Sequence, residues 1–590
     1  MLFPRVLVSV ALLCSLLDVI TPARVSAYLA NNYSAYPVPS LPRPACTFTS
    51  PDMCISTPII DPTFGELVTR VTDPFMSPND PAADAIVNET WGLRQEYSRY
   101  PILSADNQKV IVLVLGGLWR GYYEVRDLSQ NGKRLARIRD VGDPEFSWHP
   151  TNPTVLFYRY TNQIRRFYVD PTCAHRPPNL PADVTCHQVD DPAYNDPAGC
   201  VPPALGDPAY SACDNGGWVE TVMTFDGTNG LPLYYAIGTQ EEGRPTEEWN
   251  ASVGAVDWHY YAFLGFTNSG LTAADLVVVD LRTKSVRATL PFGGHLPDWV
   301  SMSPKGDYVV ALWVDGSGTR VYPADLSSSR LLFPTAPHTH TDFVLDAAGD
   351  EMLVYHATQS SQIAQLGNPQ GSPIAGVYLD PTIIGPNGAG KPFVLLGNKN
   401  GLAPTNPANN VGTFIGRNWF SEHFSGITSH LVITPKTPCP NNHYTSDSEG
   451  YGCGRPGWVL ISTYTTPDTP QQPFAREIFW LSTDGKGAVE RLSQHHSDAV
   501  TSCPNMYGGK DYFAEPQATS SWDGTIVLNG SIWGDSCDHH YDLYTVTNPT
   551  SKKRPRTPPP GVDGGCITKS SPGKEKGGKP VLSKSKCRKS

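Results

Sequence analysis

The stretch Ser521-Trp522-Asp523-Gly524-Thr525-Ile526-Val527-Leu528 sets the reading of this chain, because a turn ending in Asp-Gly runs straight into a β-branched apolar segment. Glycine enters the left-handed backbone region at little cost, so it reverses the chain, and the apolar run after it suits a short buried strand. The unit recurs. Ser104-Ala-Asp-Asn precedes Val110-Ile-Val, and Trp148-His-Pro-Thr-Asn-Pro precedes Val155-Leu-Phe. Ser303-Pro-Lys-Gly precedes Tyr308-Val-Val, and Asp346-Ala-Ala-Gly precedes Met352-Leu-Val-Tyr. Gly306 and Gly349 lie 43 residues apart, as do Ser104 and Ser147.

Tyr123-Glu-Val-Arg-Asp-Leu, Leu276-Val-Val-Val-Asp-Leu and Glu477-Ile-Phe-Trp-Leu read as further strands of the same units. Several strands per unit at a period near forty residues is the pattern of a β-propeller. One small sheet cannot bury both of its faces alone, so neighbouring sheets must stack around an axis. The expected fold is all-β, with seven blades of about four antiparallel strands near 94–135, 140–170, 216–290, 295–334, 338–400, 423–494 and 512–547. Glu66-Leu-Val-Thr-Arg-Val-Thr is a candidate closing strand. A two-sheet sandwich of similar strands is the structural alternative. Gly and Pro supply 108 of 590 residues, which fits many short strands punctuated by turns.

Around this body lie segments of other character. Residues 1–27 read as a secretory signal: Arg5, an apolar run from Val6 to Leu17, then Val25-Ser26-Ala27 as small residues for cleavage. Residues 28–90 form an N-terminal extension and 91–550 the propeller, with a Cys-, Pro- and Asp-rich insertion at 171–215. Of thirteen cysteines, Cys14 leaves with the signal and twelve remain, an even number suited to disulfides in an oxidising compartment. Spacing suggests Cys46 with Cys54, Cys439 with Cys453, Cys503 with Cys537 and Cys566 with Cys587. Asn32, Asn88, Asn250 and Asn529 each open a glycosylation sequon, expected on surface loops. Residues 551–590 carry a net charge of +10 against −21 for the rest, and read as a disordered basic tail that either solubilises the protein or meets polyanionic glycans. An acidic, exported body argues against nucleic-acid binding. No later segment is long and apolar enough to span a bilayer as a helix. The protein is expected to be secreted and to work as a monomer.

In a propeller, the residues just before each inter-strand turn converge from different blades onto one central pocket. These are Arg94, Glu96 and Tyr97, then Asp298, His338, His340, His423, Glu515 and Gln517. Polar groups at such positions must bond each other, hold an ion or face a ligand, because burying them unpaired is costly. His338 and His340 share one strand face, as do Glu515 and Gln517. With His423 they make a nitrogen and oxygen set suited to manganese, zinc or calcium. The pairs His495-His496 and His539-His540 fall in loops and are expected at the surface. No nucleophile elbow, phosphate loop or dinucleotide fingerprint is present, and no organic cofactor is expected.

Glu515-Pro-Gln-Ala-Thr-Ser-Ser-Trp-Asp-Gly-Thr-Ile-Val-Leu followed by Ser531-Ile-Trp-Gly resembles the blade motif of TolB-like periplasmic propellers and of oligogalacturonate lyases. Arg455-Pro-Gly-Trp-Val-Leu-Ile-Ser-Thr-Tyr and Arg491-Leu-Ser-Gln-His-His-Ser-Asp are similar to stretches of secreted propellers in that group. The resemblance runs patchily over residues 90–547. It implies a seven-bladed propeller, a manganese ion held by histidines and a glutamine, and β-elimination of pectic fragments. Where those lyases carry His-x-His, this chain carries Glu515-Pro-Gln517. The expected function is therefore action on, or binding of, an acidic oligo- or polysaccharide. A polysaccharide lyase would use His340, His423, Tyr97 and Arg94, whereas a glycoside hydrolase would need Asp298 and Glu515. A non-catalytic glycan- or protein-binding propeller is the alternative.

Overall fold

A computed structural model describes residues 29–30, 41–50, 53–73, 91–115, 121–139, 144–191 (except 179 and 183) and 214–367 (except 241–242, 251, 253–254, 314, 316, 334–338, 347–348 and 358–359). It further describes 375–380, 391–396, 421–432 (except 430), 455–464 (except 456), 476–483, 489–497, 514–533 and 540–547. The signal, the sequons at Asn32 and Asn88, and the basic tail lie outside these residues. Among the described residues there is no α-helix, and the chain up to Thr550 forms one compact unit.

The architecture follows from the recurring turn. At Ser521 the backbone N–H donates to the Ile526 carbonyl (2.8 Å), the Gly524 N–H returns to the Ser521 carbonyl (2.9 Å), and the Ser521 hydroxyl accepts from the Ile526 N–H (3.0 Å). Ser104, Asn107 and Lys109 make the same three bonds, as do Ser303, Gly306 and Tyr308. The residue three positions after the serine is left-handed each time, with φ of 57° at Asn107, 76° at Gly306 and 67° at Gly524. The serine thus replaces a ladder hydrogen bond at the corner.

Each turn joins the innermost strand of a sheet to the second, and the sheets follow one another as antiparallel meanders. In chain order they run as follows among the described residues. The first runs through Trp91–Arg94, Lys109–Val114, Tyr122–Asp127 and Lys133–Arg139. The second uses Ser147–Trp148, Val155–Tyr160, Gln163–Val169 and Gly217–Thr224, and the third Ala236–Gly238, Tyr260–Phe266, Ala274–Asp280 and Ser285–Gly293. The fourth holds Trp299–Met302, Tyr308–Trp313, Gly318–Pro323 and Arg330–Phe333. The fifth begins with Thr339–Leu345 and Glu351–Ala357, the sixth with Ser421–Ser425 and Trp458–Tyr464, and the seventh with Thr519–Ser520, Ile526–Ser531 and His540–Thr547. One boundary differs from the sequence reading. Gly217–Thr224 pairs with Gln163–Val169 and so completes the second sheet rather than opening the third. The Cys-rich insertion therefore lies within a blade, stapled by a Cys173–Cys186 disulfide. Cys46 is also disulfide-bonded.

Packing turns this row of sheets into a ring. On Tyr260–Phe266, Tyr261 and Phe263 pack with Phe157 and Ile164 of the second sheet, while Ala262 and Leu264 pack with Val300 and Val309 of the fourth. The two-residue period of a strand thus feeds both neighbours. Trp299 and Leu312 meet Phe343 and Tyr355, and Leu460 and Trp480 meet Val527 and Tyr544. At Gly426 a Cβ would stand 1.7 Å from the Phe343 carbonyl, so the fifth and sixth sheets approach through bare backbone. The last link returns to the first sheet, where Gly92 pairs in parallel with Tyr541 and Asn107 donates to Asp523 (3.1 Å). Leu67–Arg70 pairs antiparallel with residues 544–547 and so closes the seventh sheet with a strand from the N-terminal part. The molecule is a β-propeller. Burial grades outward accordingly: Trp299–Met302 is wholly buried, whereas the outermost strand Ser285–Gly293 alternates half-buried with exposed.

Two expectations are corrected by this packing. Asn529 lies in the second strand of the seventh sheet and is 2 % exposed, so its sequon cannot carry a glycan in the folded chain. His495 and His496 are buried, not superficial. The His495 Nε2 faces the Thr463 carbonyl (2.7 Å) and its Nδ1 accepts from the Ser497 N–H (3.0 Å), which fixes a neutral ring. Burial pushes its pKa down to about 3, and that of His496, packed on Trp533, to about 4.

Candidate functional site

The innermost strands carry most of the candidate residues. Arg94 ends the inner strand of the first sheet, His340 lies on that of the fifth, and His423 on that of the sixth. Glu515 and Gln517 immediately precede that of the seventh, and Asp298 that of the fourth. His338 lies outside the described residues.

Between the first and seventh sheets the polar groups are tightly joined. Arg94 Nη2 donates to Gln517 Oε1 (2.5 Å) and Arg94 Nε to the Gln95 carbonyl (2.9 Å). Gln95 Nε2 donates to the carbonyls of Pro516 (2.8 Å) and Gln517 (3.1 Å). Gly530 leaves space for this knot, since a Cβ there would press on the Arg94 guanidinium at 3.3 Å. Gln517 is fully buried with φ of 41°, a left-handed value that costs a non-glycine residue energy, and its Nε2 has no hydrogen-bond partner among the described residues. Glu96 accepts from the Tyr123 hydroxyl, Glu515 is buried, and the Asp298 N–H donates to the Leu312 carbonyl (2.7 Å).

A second knot was not foreseen from the sequence. Arg99 lies over the rings of Tyr97 (4.9 Å) and Trp299 (5.0 Å). Arg244 Nη2 donates to Asp342 Oδ1 (2.6 Å), which also accepts from the Phe343 N–H (2.8 Å), while Asp342 Oδ2 accepts from the Gly426 N–H (2.7 Å). One aspartate therefore ties the fifth and sixth sheets to the segment that follows the inner strand of the third. Burial raises the Asp342 pKa against the pull of Arg244 and Arg99. Burial likewise holds Glu247 well above the usual carboxylate range, opposed by Arg244. Glu145 plays the same part between the second and third sheets. Its carboxylate accepts from the Thr239 hydroxyl (2.6 Å) and N–H (3.0 Å) and from the Tyr261 hydroxyl (2.7 Å), and it forms an ion pair with Arg159, whose Nε lies 3.0 Å away. The only sequence signal for Asp342 was its place two residues after His340 on the same inner strand.

The arrangement concentrates guanidinium groups at the inner ends of the blades, a setting suited to carboxylates. His340, His423 and Gln517 are donor types that a borderline divalent cation accepts, and the Gln517 oxygen that takes Arg94 retains a second lone pair. Among the described residues no group of three His, Cys, Asp or Glu is placed to hold a metal ion.

No family model and no curated protein matches the chain. Among solved structures it is similar to an oligogalacturonate lyase in complex with manganese, at 12% identity and a TM-score of 0.42 over 84% of this chain and 96% of that one. An oligogalacturonate lyase from Vibrio parahaemolyticus gives 12% identity and 0.40, over 84% and 97% of the two chains. Dihydro-heme d1 dehydrogenase NirN gives 10% and 0.29, over 75% and 62%. Such distant likenesses carry no chemistry to this chain, and the propeller assignment rests on its own strand order and packing.

Proposed function

We propose that this protein is an extracellular propeller that acts on acidic carbohydrate by β-elimination at the inner ends of its blades. The observation that carries this reading is the placement of Arg94, His340, His423 and Gln517 on or beside the innermost strands of four successive sheets, the fifth, sixth, seventh and first. Removing the proton next to a uronate carboxylate requires that the carboxylate be neutralised first. Arg94 would meet that carboxylate, its guanidinium held in place by Gln517 and Gln95. Tyr97, fixed beneath the Arg99 guanidinium, or a neutral histidine would take the proton. His340, His423 and Gln517, with His338 and Glu515 nearby in sequence, would hold a manganese, zinc or calcium ion, which when bound would add charge neutralisation at the same carboxylate. Cys173–Cys186 supports an oxidising compartment. Among the described residues no helix is long and apolar enough to cross a membrane.

The burial of Arg94 (1 % exposed), Tyr97 (6 %) and Gln517 (0 %) favours a second reading, a propeller that binds glycan or protein without turnover. The deciding experiment incubates the purified protein with uronate polysaccharides, with and without chelator, and follows the ultraviolet absorbance of unsaturated products. Elimination reduced at least a hundredfold in His340→Ala, His423→Ala and Arg94→Lys supports the lyase. Affinity without product, unchanged in these variants, supports the binding protein. Elemental analysis before and after chelator checks the ion: retained metal lost in His340→Ala and His423→Ala supports it, and no metal in the active wild-type protein overturns it.

A further inference from the structure

The third sheet departs from the recurring turn. In the first, fourth and seventh sheets the innermost strand reaches the second through a tight serine turn, whereas residues 239–259 separate Ala236–Gly238 from Tyr260–Phe266. This excursion forms a hairpin of its own, Glu247–Asn250 antiparallel to Ala255–Trp258. On its other side the first of these strands pairs in parallel with Leu431–Val432, Glu247 opposite Leu431 and Glu248 opposite Val432. Leu431–Val432 follows the innermost strand of the sixth sheet. The third and sixth sheets are not neighbours in the ring. The fourth and fifth lie between them on one side, and the second, first and seventh on the other.

The path of the excursion follows the inner ends of the sheets it passes. At Gly243 a Cβ would stand 2.6 Å from the Val300 carbonyl, so the chain can lie against the fourth sheet there only without a side chain. The Arg244 N–H donates to the Ser301 hydroxyl (3.1 Å) on the innermost strand of the fourth sheet, and its guanidinium to Asp342 (2.6 Å) on that of the fifth. Thr246 returns to the third sheet, its N–H donating to the Tyr260 carbonyl (2.7 Å) and its carbonyl accepting from the His259 N–H (2.9 Å). Ala255–Trp258 meets the turn of the second sheet, where the Thr151 hydroxyl donates to the Val256 carbonyl (3.1 Å) and His149 Nε2 faces Asp257 Oδ1 (3.2 Å). Thr428, just before Leu431, reaches the turn of the seventh sheet, where a Cβ on Gly524 would lie 3.4 Å from its methyl group.

The three strands therefore lie across the channel at the end where the innermost strands finish. Alternation gives the sheet a covered face and an open one: Glu247 is buried, whereas the Glu248 side chain is 52 % exposed. Repeats that touch only their neighbours lose order outward from any interface that fails. A hydrogen-bonded link between sheets that are not neighbours removes that freedom.

We propose that this three-stranded sheet braces the ring from inside: it closes the channel at one end and keeps the third to sixth sheets together when the ring opens between the seventh and the first. Approach to the channel is then from the other end, where Asp298, Glu515 and Gln517 precede their innermost strands. The inference is independent of the carbohydrate reading.

Hydrogen exchange in the full chain tests the brace. Gly92→Val opens the ring, because a Cβ at Gly92 would meet the Tyr541 carbonyl at 2.2 Å. Glu248→Pro breaks the brace, since proline is not tolerated in a central strand. In Gly92→Val the amides of Trp91–Arg94 and His540–Thr547 should exchange at least tenfold faster, while those of Tyr260–Phe266, Tyr308–Trp313 and Glu351–Ala357 keep their wild-type rates. Adding Glu248→Pro should speed these last three strands at least tenfold over Gly92→Val alone. Equal rates in the single and double variants, or acceleration of every sheet by Gly92→Val alone, overturns the proposal. A further measurement needs no destabilised chain. Glu248→Cys with Val432→Cys should give an intrachain disulfide between these two positions in peptide mass mapping, and two free thiols there overturn the brace.

Discussion

Glu124 and Glu66 are both buried glutamates of this propeller, and their surroundings drive them in opposite directions. Glu124, in the third strand of the first sheet, accepts from Arg126 and, at 2.8 Å, from Arg137 Nη2, with Arg134 Nη1 at 3.9 Å. Burial opposes ionisation there, yet the three guanidiniums overcome it and hold the pKa down to about 2. Glu66 at the ring seam has acids where Glu124 has arginines, and its pKa rises to about 8. Burial sets the stakes for a charged group, and the partners decide the sign. The first sheet is closed by its own sequence, since Glu124, Arg126, Arg134 and Arg137 lie within fourteen residues. The seam is assembled from distant segments, the closing strand and the sixth sheet.

The largest expected effect breaks the stronger side of this comparison. Glu124→Gln leaves Arg126 and Arg137 buried without their counter-ion and should cost about 3–5 kcal/mol in chemical denaturation; a loss below about 1 kcal/mol would show that the arginines are satisfied elsewhere. Next come the pH profiles. Glu124 has a folded pKa below its unfolded value of 4.5, so the stability it contributes is present above about pH 4.5 and lost as pH falls toward 2. Glu66 runs the other way. The unfolded state releases this proton from about pH 4.5 while the folded state keeps it to about 8, so stability falls across that interval by a few kcal/mol at most. Glu66→Gln should flatten that decline, and a parallel decline in the variant would remove Glu66 as its source.

A smaller effect is expected at the junction of the second and third sheets. Glu145→Gln keeps the shape but weakens the charge-assisted bonds from Thr239 and Tyr261 and removes the ion pair with Arg159, at about 1–3 kcal/mol. The smallest expected effect is no change at all. Peptide mass mapping of protein from a glycosylating host should find Asn529 unmodified, and a glycan there would contradict its placement in a buried strand.

Much of the fold was legible because its signals are local. Ser303-Pro-Lys-Gly and Ser521-Trp-Asp-Gly fold into the same turn through bonds spanning at most five residues, so their recurrence exposed the repeat. The assignment of Gly217–Thr224 was not legible, because its alternation suits either neighbouring sheet and only pairing with Gln163–Val169 decides between them. At the candidate site, the spacing from turn to strand was enough to put His340, His423 and Arg94 on innermost strands. It gave no hint that Arg94 would bind Gln517, more than four hundred residues away. The sequon at Asn529 and the pair His495-His496 misled for a related reason. Asn529 and His495 look like loop residues by type, yet neighbouring sheets cover them.

By itself, then, the sequence determined the all-β class, the repeat near forty residues, the turn chemistry and the charge contrast between body and tail. Each of these is written in neighbouring residues and needs no distant partner. The tertiary structure alone decided which strand closes the ring, which buried acid meets an arginine and which is left facing other acids. Those outcomes depend on groups brought together across the ring, and a charged group's energy is set by what stands within a few ångströms of it rather than by its neighbours along the chain.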